Sequence, residues 1–206
     1  MTDPKSGRAT VCLLLAHGAG APMTSPFMEA FARRLPDLGI GVARFEFAYM
    51  AARRHAGARR PPPRAETLIC EYLTVVDRIP AGSKLVIGGK SMGGRVASLV
   101  ADELYRSGRI QGLVCLGYPF HPSRQPAKPR TAHLEHLCCP AVFVQGERDP
   151  LGSRLEAAGY RLSSAIRIYW IANGGHDLLA GKKAGRGAQE TWTDAAKAVA
   201  AFVHGL

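Results

Sequence analysis

Residues 84–94 read Lys-Leu-Val-Ile-Gly-Gly-Lys-Ser-Met-Gly-Gly. A short apolar run of strand length, Lys84 to Gly88, passes directly into Gly89-Lys90-Ser91-Met92-Gly93-Gly94, behind which a helical pattern begins. The spacing is Gly-x-Ser-x-Gly between a strand and a helix. A turn this tight leaves no room for a side chain at positions 89 and 93, hence the two glycines. It throws Ser91 clear of the sheet, and the helix N-terminus behind it favours negative charge developing there. With 23 glycines in the chain, the bare pattern is expected by chance about 0.1 times, and a helix N-cap serine is the competing explanation. The flanking strand and helix are what make Ser91 a candidate nucleophile. Gly89-Lys90-Ser91 also matches the end of a phosphate-binding loop, but that motif requires glycine at position 84, where Lys84 stands, so a nucleotide site is disfavoured.

Outward from this turn, short apolar runs recur, each followed by a turn. They are Thr10 to Ala16, Gly41 to Phe47, Gly112 to Leu116, Ala141 to Gln145 and Ile166 to Ile171. Several are continuously rather than alternately apolar, as expected for strands buried on both faces. Helical patterns lie between them: Ser25-Pro26 is an N-cap and first-turn proline with Phe27, Phe31 and Leu35 on one face, Leu68, Tyr72 and Val76 predict a helix over about 64–79, and a last helix is predicted from about Gln189 to His204. Strand and helix alternate, which predicts an α/β class with a mainly parallel sheet, in one domain over residues 1–206. Two basic, proline-rich stretches, Arg53 to Arg64 and Tyr118 to Arg130, interrupt the pattern and are predicted to be loops.

A serine hydroxyl needs a base, and the base needs a carboxylate to orient it. In chain order, Asp149 follows the fifth strand in Gly146-Glu147-Arg148-Asp149-Pro150, and His176 follows the sixth in Gly174-Gly175-His176-Asp177. Both fall where the carboxyl ends of parallel strands converge. Glu147 is a fallback acid. Asp177 adjoins the base but is expected to point away at a helix start, and His55, His121, His133, His136 and His204 are less well placed. The first strand ends in His17-Gly18-Ala19-Gly20, a small-residue loop through which backbone can approach a substrate oxygen. The N–H groups of Ala19 and Met92 are the candidate oxyanion hole, with His17 expected to brace the loop.

Together these residues resemble the α/β-hydrolase family: the His17-Gly18 loop, the Gly89 to Gly94 turn, Asp149 and His176 stand in that family's order over nearly the whole chain. His-Gly-Ala-Gly and Gly-Lys-Ser-Met-Gly-Gly-Arg are similar to small lidless bacterial members near the dienelactone-hydrolase-like group, related to a hydrolase-like domain of a eukaryotic chromatin-regulator subunit. Dienelactone hydrolases use cysteine as nucleophile and this chain has Ser91, so their substrate is not carried over. The resemblance implies a three-layer α/β/α sandwich on a six-stranded sheet of order 2-1-3-4-5-6, without the family's first two strands. The segment from Gly117 to Leu137 is too short for a multi-helix lid, so no cap domain and an open site are expected. The implied activity is hydrolysis of a small carboxylic ester or thioester, with no metal or organic cofactor.

The balance of 27 Lys+Arg against 16 Asp+Glu gives a formal charge of +11. Five arginines gather in Arg53 to Arg64, and the first two, Arg53 and Arg54, are candidate ligands for an anionic substrate tail. Tyr118 is a further candidate substrate contact. A catalytically silent interaction module that binds polyanions through the same stretch is the alternative; nucleic acid is disfavoured because no aromatics or helix motif accompany the arginines. The apolar run Val11 to Ala16 is too short for a signal-peptide core or membrane span, so a cytoplasmic protein making no membrane contact is expected. The five cysteines include no C-x-x-C pair and are expected to be reduced, structural thiols.

Overall fold

A computed structural model describes residues 11–56, 61–181, 185 and 187–206, with the side chains of 54–56 outside the description. Thr10, the side chain of Arg54, and Arg59 and Arg60 therefore lie outside the described residues.

The six apolar runs form six strands: β1 Val11–Ala16, β2 Ile40–Phe45, β3 Lys84–Lys90, β4 Gly112–Leu116, β5 Ala141–Gly146 and β6 Ile166–Ile171. They lie in one sheet of order β2-β1-β3-β4-β5-β6, with every pairing parallel. The continuous hydrophobicity of the central strands has the expected cause. Along β1, Leu13 and Leu15 enter the core on one face, while Cys12, Leu14 and Ala16 enter the core on the other. Each face is covered by helices, so both sets of side chains leave water.

On one face lie α1 (Pro26–Arg34) and the C-terminal helix Ala188–His204, which meet through an edge-on contact of the Phe27 and Trp192 rings at 5.7 Å. The start of α1 is set by Ser25, whose Oγ accepts from the Met28 N–H, with proline in the first turn. On the other face α3 (Ile69–Asp77) and α4 (Met92–Arg106) pack through Tyr72, Val76, Val96 and Val100. The Tyr72 hydroxyl is fully buried and bonds both the C=O and the N–H of Gly88, at 2.9 and 3.0 Å, so burying it leaves no orphaned oxygen. All five cysteines are free thiols.

Three local expectations are corrected. The stretch from Arg53 does not begin as a loop, because β2 stops at Phe45 and α2 (Ala48–Ala56) runs into it. Alanine and arginine are both good helix formers and the prolines begin only at 61, so nothing local stops the helix earlier. The helix predicted over 64–79 is a 3₁₀ turn, Ala65–Leu68, followed by α3. Asp177 starts no helix; it lies in a turn after β6.

Between β4 and β5 the only helical piece is a 3₁₀ turn, Ala132–Leu134. That segment is anchored by burying Tyr118, Phe120, Leu134 and Leu137, and it adds no helical cap over the sheet edge. Among the described residues no helix is long and apolar enough to cross a membrane.

Candidate active site

β1 has β2 on one side and β3 on the other, so the loops that leave the carboxyl ends of β1 and β3 diverge and open a crevice. Ser91 stands in that crevice. Its backbone lies at φ 50, ψ −115, a conformation in which a residue with a Cβ is strained by about 1–3 kcal/mol. The strain is enforced by the close packing of the flanking glycines. A Cβ on Gly89 would lie 2.4 Å from the Gly93 carbonyl carbon, and one on Gly93 would lie 2.5 Å from Ala16 O. The Ser91 N–H donates to Leu116 O at 2.9 Å, and its carbonyl accepts from the Arg95 N–H at 3.0 Å, which pins the turn from β3 into α4 against the end of β4.

The structure brings the three sequence candidates into one hydrogen-bonded line. His176 Nε2 is 2.9 Å from Ser91 Oγ, and His176 Nδ1 is 2.8 Å from Asp149 Oδ2. Asp149 is an acceptor only, so Nδ1 carries the ring proton and Nε2 is left to accept from the serine hydroxyl. Asp149 is completely buried. It accepts from the Leu151 N–H at 2.8 Å and from Gln145 Nε2 at 2.9 Å, which together compensate for its loss of water.

Two residues of this framework escaped the sequence reading. Gln145, buried at the end of β5, bonds Asp149 and also the Tyr118 N–H, Tyr118 O and Gly152 O, so one amide locks the carboxylate to two loops. The available signal was a lone amide closing an otherwise apolar strand. Lys90, the residue before Ser91, is buried with its Nζ 2.7 Å from His176 O, 3.2 Å from Asp177 Oδ1 and 5.2 Å from the Phe27 ring centre. Burial pulls its ammonium below the ordinary lysine value, and Asp177 works against that pull. Asp177 thus braces the loop that carries His176 through Lys90.

The competing residues are engaged elsewhere. His17 uses both ring nitrogens, Nε2 accepting from the Phe47 N–H at 3.1 Å and Nδ1 donating to Gly18 O at 2.7 Å, so it braces the loop as expected. Burial holds its imidazole below the ordinary value. Glu147 pairs with Arg154 at 2.7 Å and accepts from the Asn173 N–H at 3.1 Å, tying the loops after β5 and β6 together.

The proposed substrate contacts are redistributed. Tyr118 is corrected: it is fully buried among Phe120 and Phe143, with its hydroxyl donating to Arg130 O at 3.0 Å, because the segment after β4 needs an apolar anchor. Arg53 donates from Nη1 to Ala19 O at 3.1 Å and stacks over Tyr49 at 5.1 Å. It supports the loop after β1 from behind and lines neither cleft beside Ser91. Ala19 and Met92 do lie beside Ser91, and Met92 opens α4, where a backbone N–H has no partner within the helix.

His133 sits against α4 with Nε2 2.9 Å from Ser98 Oγ, and burial, aided by the Arg95 charge, pulls its imidazole from 6.5 down to about 4. The unfolded chain therefore holds this proton more tightly than the folded one. Stability from His133 is complete above about pH 6.5 and drains as pH falls toward 4. The urea midpoint is expected to drop between pH 7 and pH 5, and His133→Gln should shallow that drop; an unchanged slope in the variant would refute the assignment.

A six-stranded parallel sheet with a strained serine, a histidine and a carboxylate aligned at its carboxyl edge defines a hydrolase of the α/β class. A family model described as "Alpha/beta hydrolase domain" matches residues 9–204, and the chain belongs to that family. Solved structures with the same fold include an alpha-beta serine hydrolase homologue from Coxiella burnetii, 16% identical, covering 100% of this chain and 89% of that one, with a TM-score of 0.71. A dienelactone hydrolase from Anabaena variabilis is 21% identical over 98% and 88% of the two chains, with a TM-score of 0.72. A serine hydrolase without lid from Xanthomonas campestris is 16% identical over 99% and 85%, with a TM-score of 0.70.

Proposed function

We propose that the protein is a serine hydrolase that cleaves a small carboxylic ester or thioester through an acyl-enzyme. The observation that carries this reading is the 2.9 Å approach of His176 Nε2 to the hydroxyl of a serine held at positive φ. Ser91 Oγ attacks the substrate carbonyl while His176 Nε2 takes its proton, and Asp149 stabilises the imidazolium that results. The Ala19 and Met92 N–H groups, with the N-terminal end of α4 behind them, receive the oxyanion. His176 then returns the proton to the leaving alcohol or thiol, and a water repeats the sequence to release the acid. The absence of a helical cap suits a small ester, or a small acyl group on a larger carrier.

A fluorophosphonate probe is expected to label the protein at Ser91, with all labelling lost in Ser91→Ala. A folded protein that fails to label would overturn the reading in favour of a catalytically silent module.

A further inference from the structure

Ser91 borders two depressions with different linings. One is a groove of about 610 Å³ whose wall includes Phe27, Leu179 and Trp192. The other is a cleft of about 480 Å³ lined by Arg64, Arg95 and Arg130, in which Glu66 is the one carboxylate. Ala19, Ser91 and Leu151 border both, so a carbonyl at Ser91 would have one substituent directed to each side.

The basic cleft is built. Arg95 lies one turn after Ser91 on α4, its side chain 15% exposed. One end pairs with Glu66, while Nε, although buried, has no hydrogen-bond partner among the described residues. Arg130 is placed by its backbone, whose N–H donates to Phe120 O at 2.7 Å and whose carbonyl accepts from the Tyr118 hydroxyl at 3.0 Å. Burial, and then the neighbouring Arg95, hold its guanidinium below the ordinary arginine value. Two guanidiniums crowded around one carboxylate leave positive charge over, and an oxyanion would relieve it while filling their donor positions.

We propose that this cleft is an anion subsite: the substrate carries a carboxylate or phosphate on one side of its scissile carbonyl, held by Arg95 and Arg130, and an apolar group on the other. The orientation of the carbonyl rests on the serine-hydrolase reading; anion binding does not. The five-arginine stretch marked a plausible charge, but the cleft takes only Arg64 from it among the described residues and recruits Arg95 and Arg130 from distant positions.

The test is calorimetric binding to Ser91→Ala, which needs no turnover. The ligands are the phenyl esters of pentanoate, succinate and 3-phosphonopropanoate, which share an acyl chain and differ in its end, together with phenyl acetate and 4-carboxyphenyl acetate, which differ in the leaving group. At least one anionic ester should bind tenfold or more tightly than its neutral counterpart. Which one does so tells carboxylate from phosphate and acyl side from alcohol side. Adding Arg130→Gln, or separately Arg95→Gln, should remove most of that preference, and Arg130→Lys should keep part of it. Equal affinity for neutral and anionic esters in Ser91→Ala, or a preference that survives both glutamine variants, would overturn the proposal. Failure of the hydrolase reading would appear separately, as absent fluorophosphonate labelling in the parent protein.

Discussion

Ser91→Ala is expected to lower kcat toward an activated ester by about 10⁶, and His176→Ala by a similar factor, because nucleophile and base act as one unit. The double variant should be scarcely worse than either single one. Asp149→Asn should cost about 10⁴ in kcat by misplacing the imidazole proton. The geometry explains why asparagine cannot substitute quietly. Oδ1 of Asp149 accepts from the Leu151 N–H, and Oδ2 accepts from both Gln145 Nε2 and His176 Nδ1. Whichever way an amide is turned, its NH₂ faces a donor. A buried clash of this kind costs about 1–3 kcal/mol in stability as well. Steady-state kinetics with a nitrophenyl ester, beside melting curves to show that each variant folds, would measure both effects. Additive losses, or an Asp149→Asn enzyme near parental rate, would contradict the proposed roles.

Gly88→Ala is expected to destabilise the fold by about 3 kcal/mol or more, roughly a 10 °C fall in Tm for a chain of this size. A Cβ at this position would lie 2.1 Å from the carbonyl oxygen of Val114 on the neighbouring strand, and 3.1 Å from its Cβ. The obstacle is sheet backbone, so no rotamer change can relieve it. Shifting β3 away from β4 instead would disturb the Tyr72 hydroxyl, which is bonded to both polar groups of Gly88. Gly82→Ala is the control, since a Cβ there meets nothing within 4 Å. Differential scanning calorimetry should separate the two variants clearly, and equal melting temperatures would refute the packing argument.

These two effects differ in how far the chain itself announces them. Glycines 89 and 93 are visible in the sequence because the turn they permit is local. Gly88 reads as an ordinary strand residue, since the atom it must avoid, Val114 O, comes from another part of the chain. The same distinction separates Asp149 from Gln145. A carboxylate after a strand advertises itself by chemical type, whereas the amide that fixes it is recognisable only once the loops bearing Tyr118 and Gly152 are folded around it.

By itself the sequence determined the class of fold and singled out the candidate reactive groups, because both are written in short-range pattern. Continuous apolar runs demand a sheet buried on two faces, Gly-x-Ser-x-Gly between strand and helix demands a sharp turn, and the order of Ser91, Asp149 and His176 places each after its own strand. Tertiary structure alone decided which charges face the cleft. It turned Tyr118 inward, engaged Arg53, which had been expected to meet an anionic substrate tail, with Ala19 O of the loop after β1, and brought Arg95 and Arg130 together beside Ser91. Side-chain direction at such positions depends on the packing of remote elements, and charge composition carries no record of it.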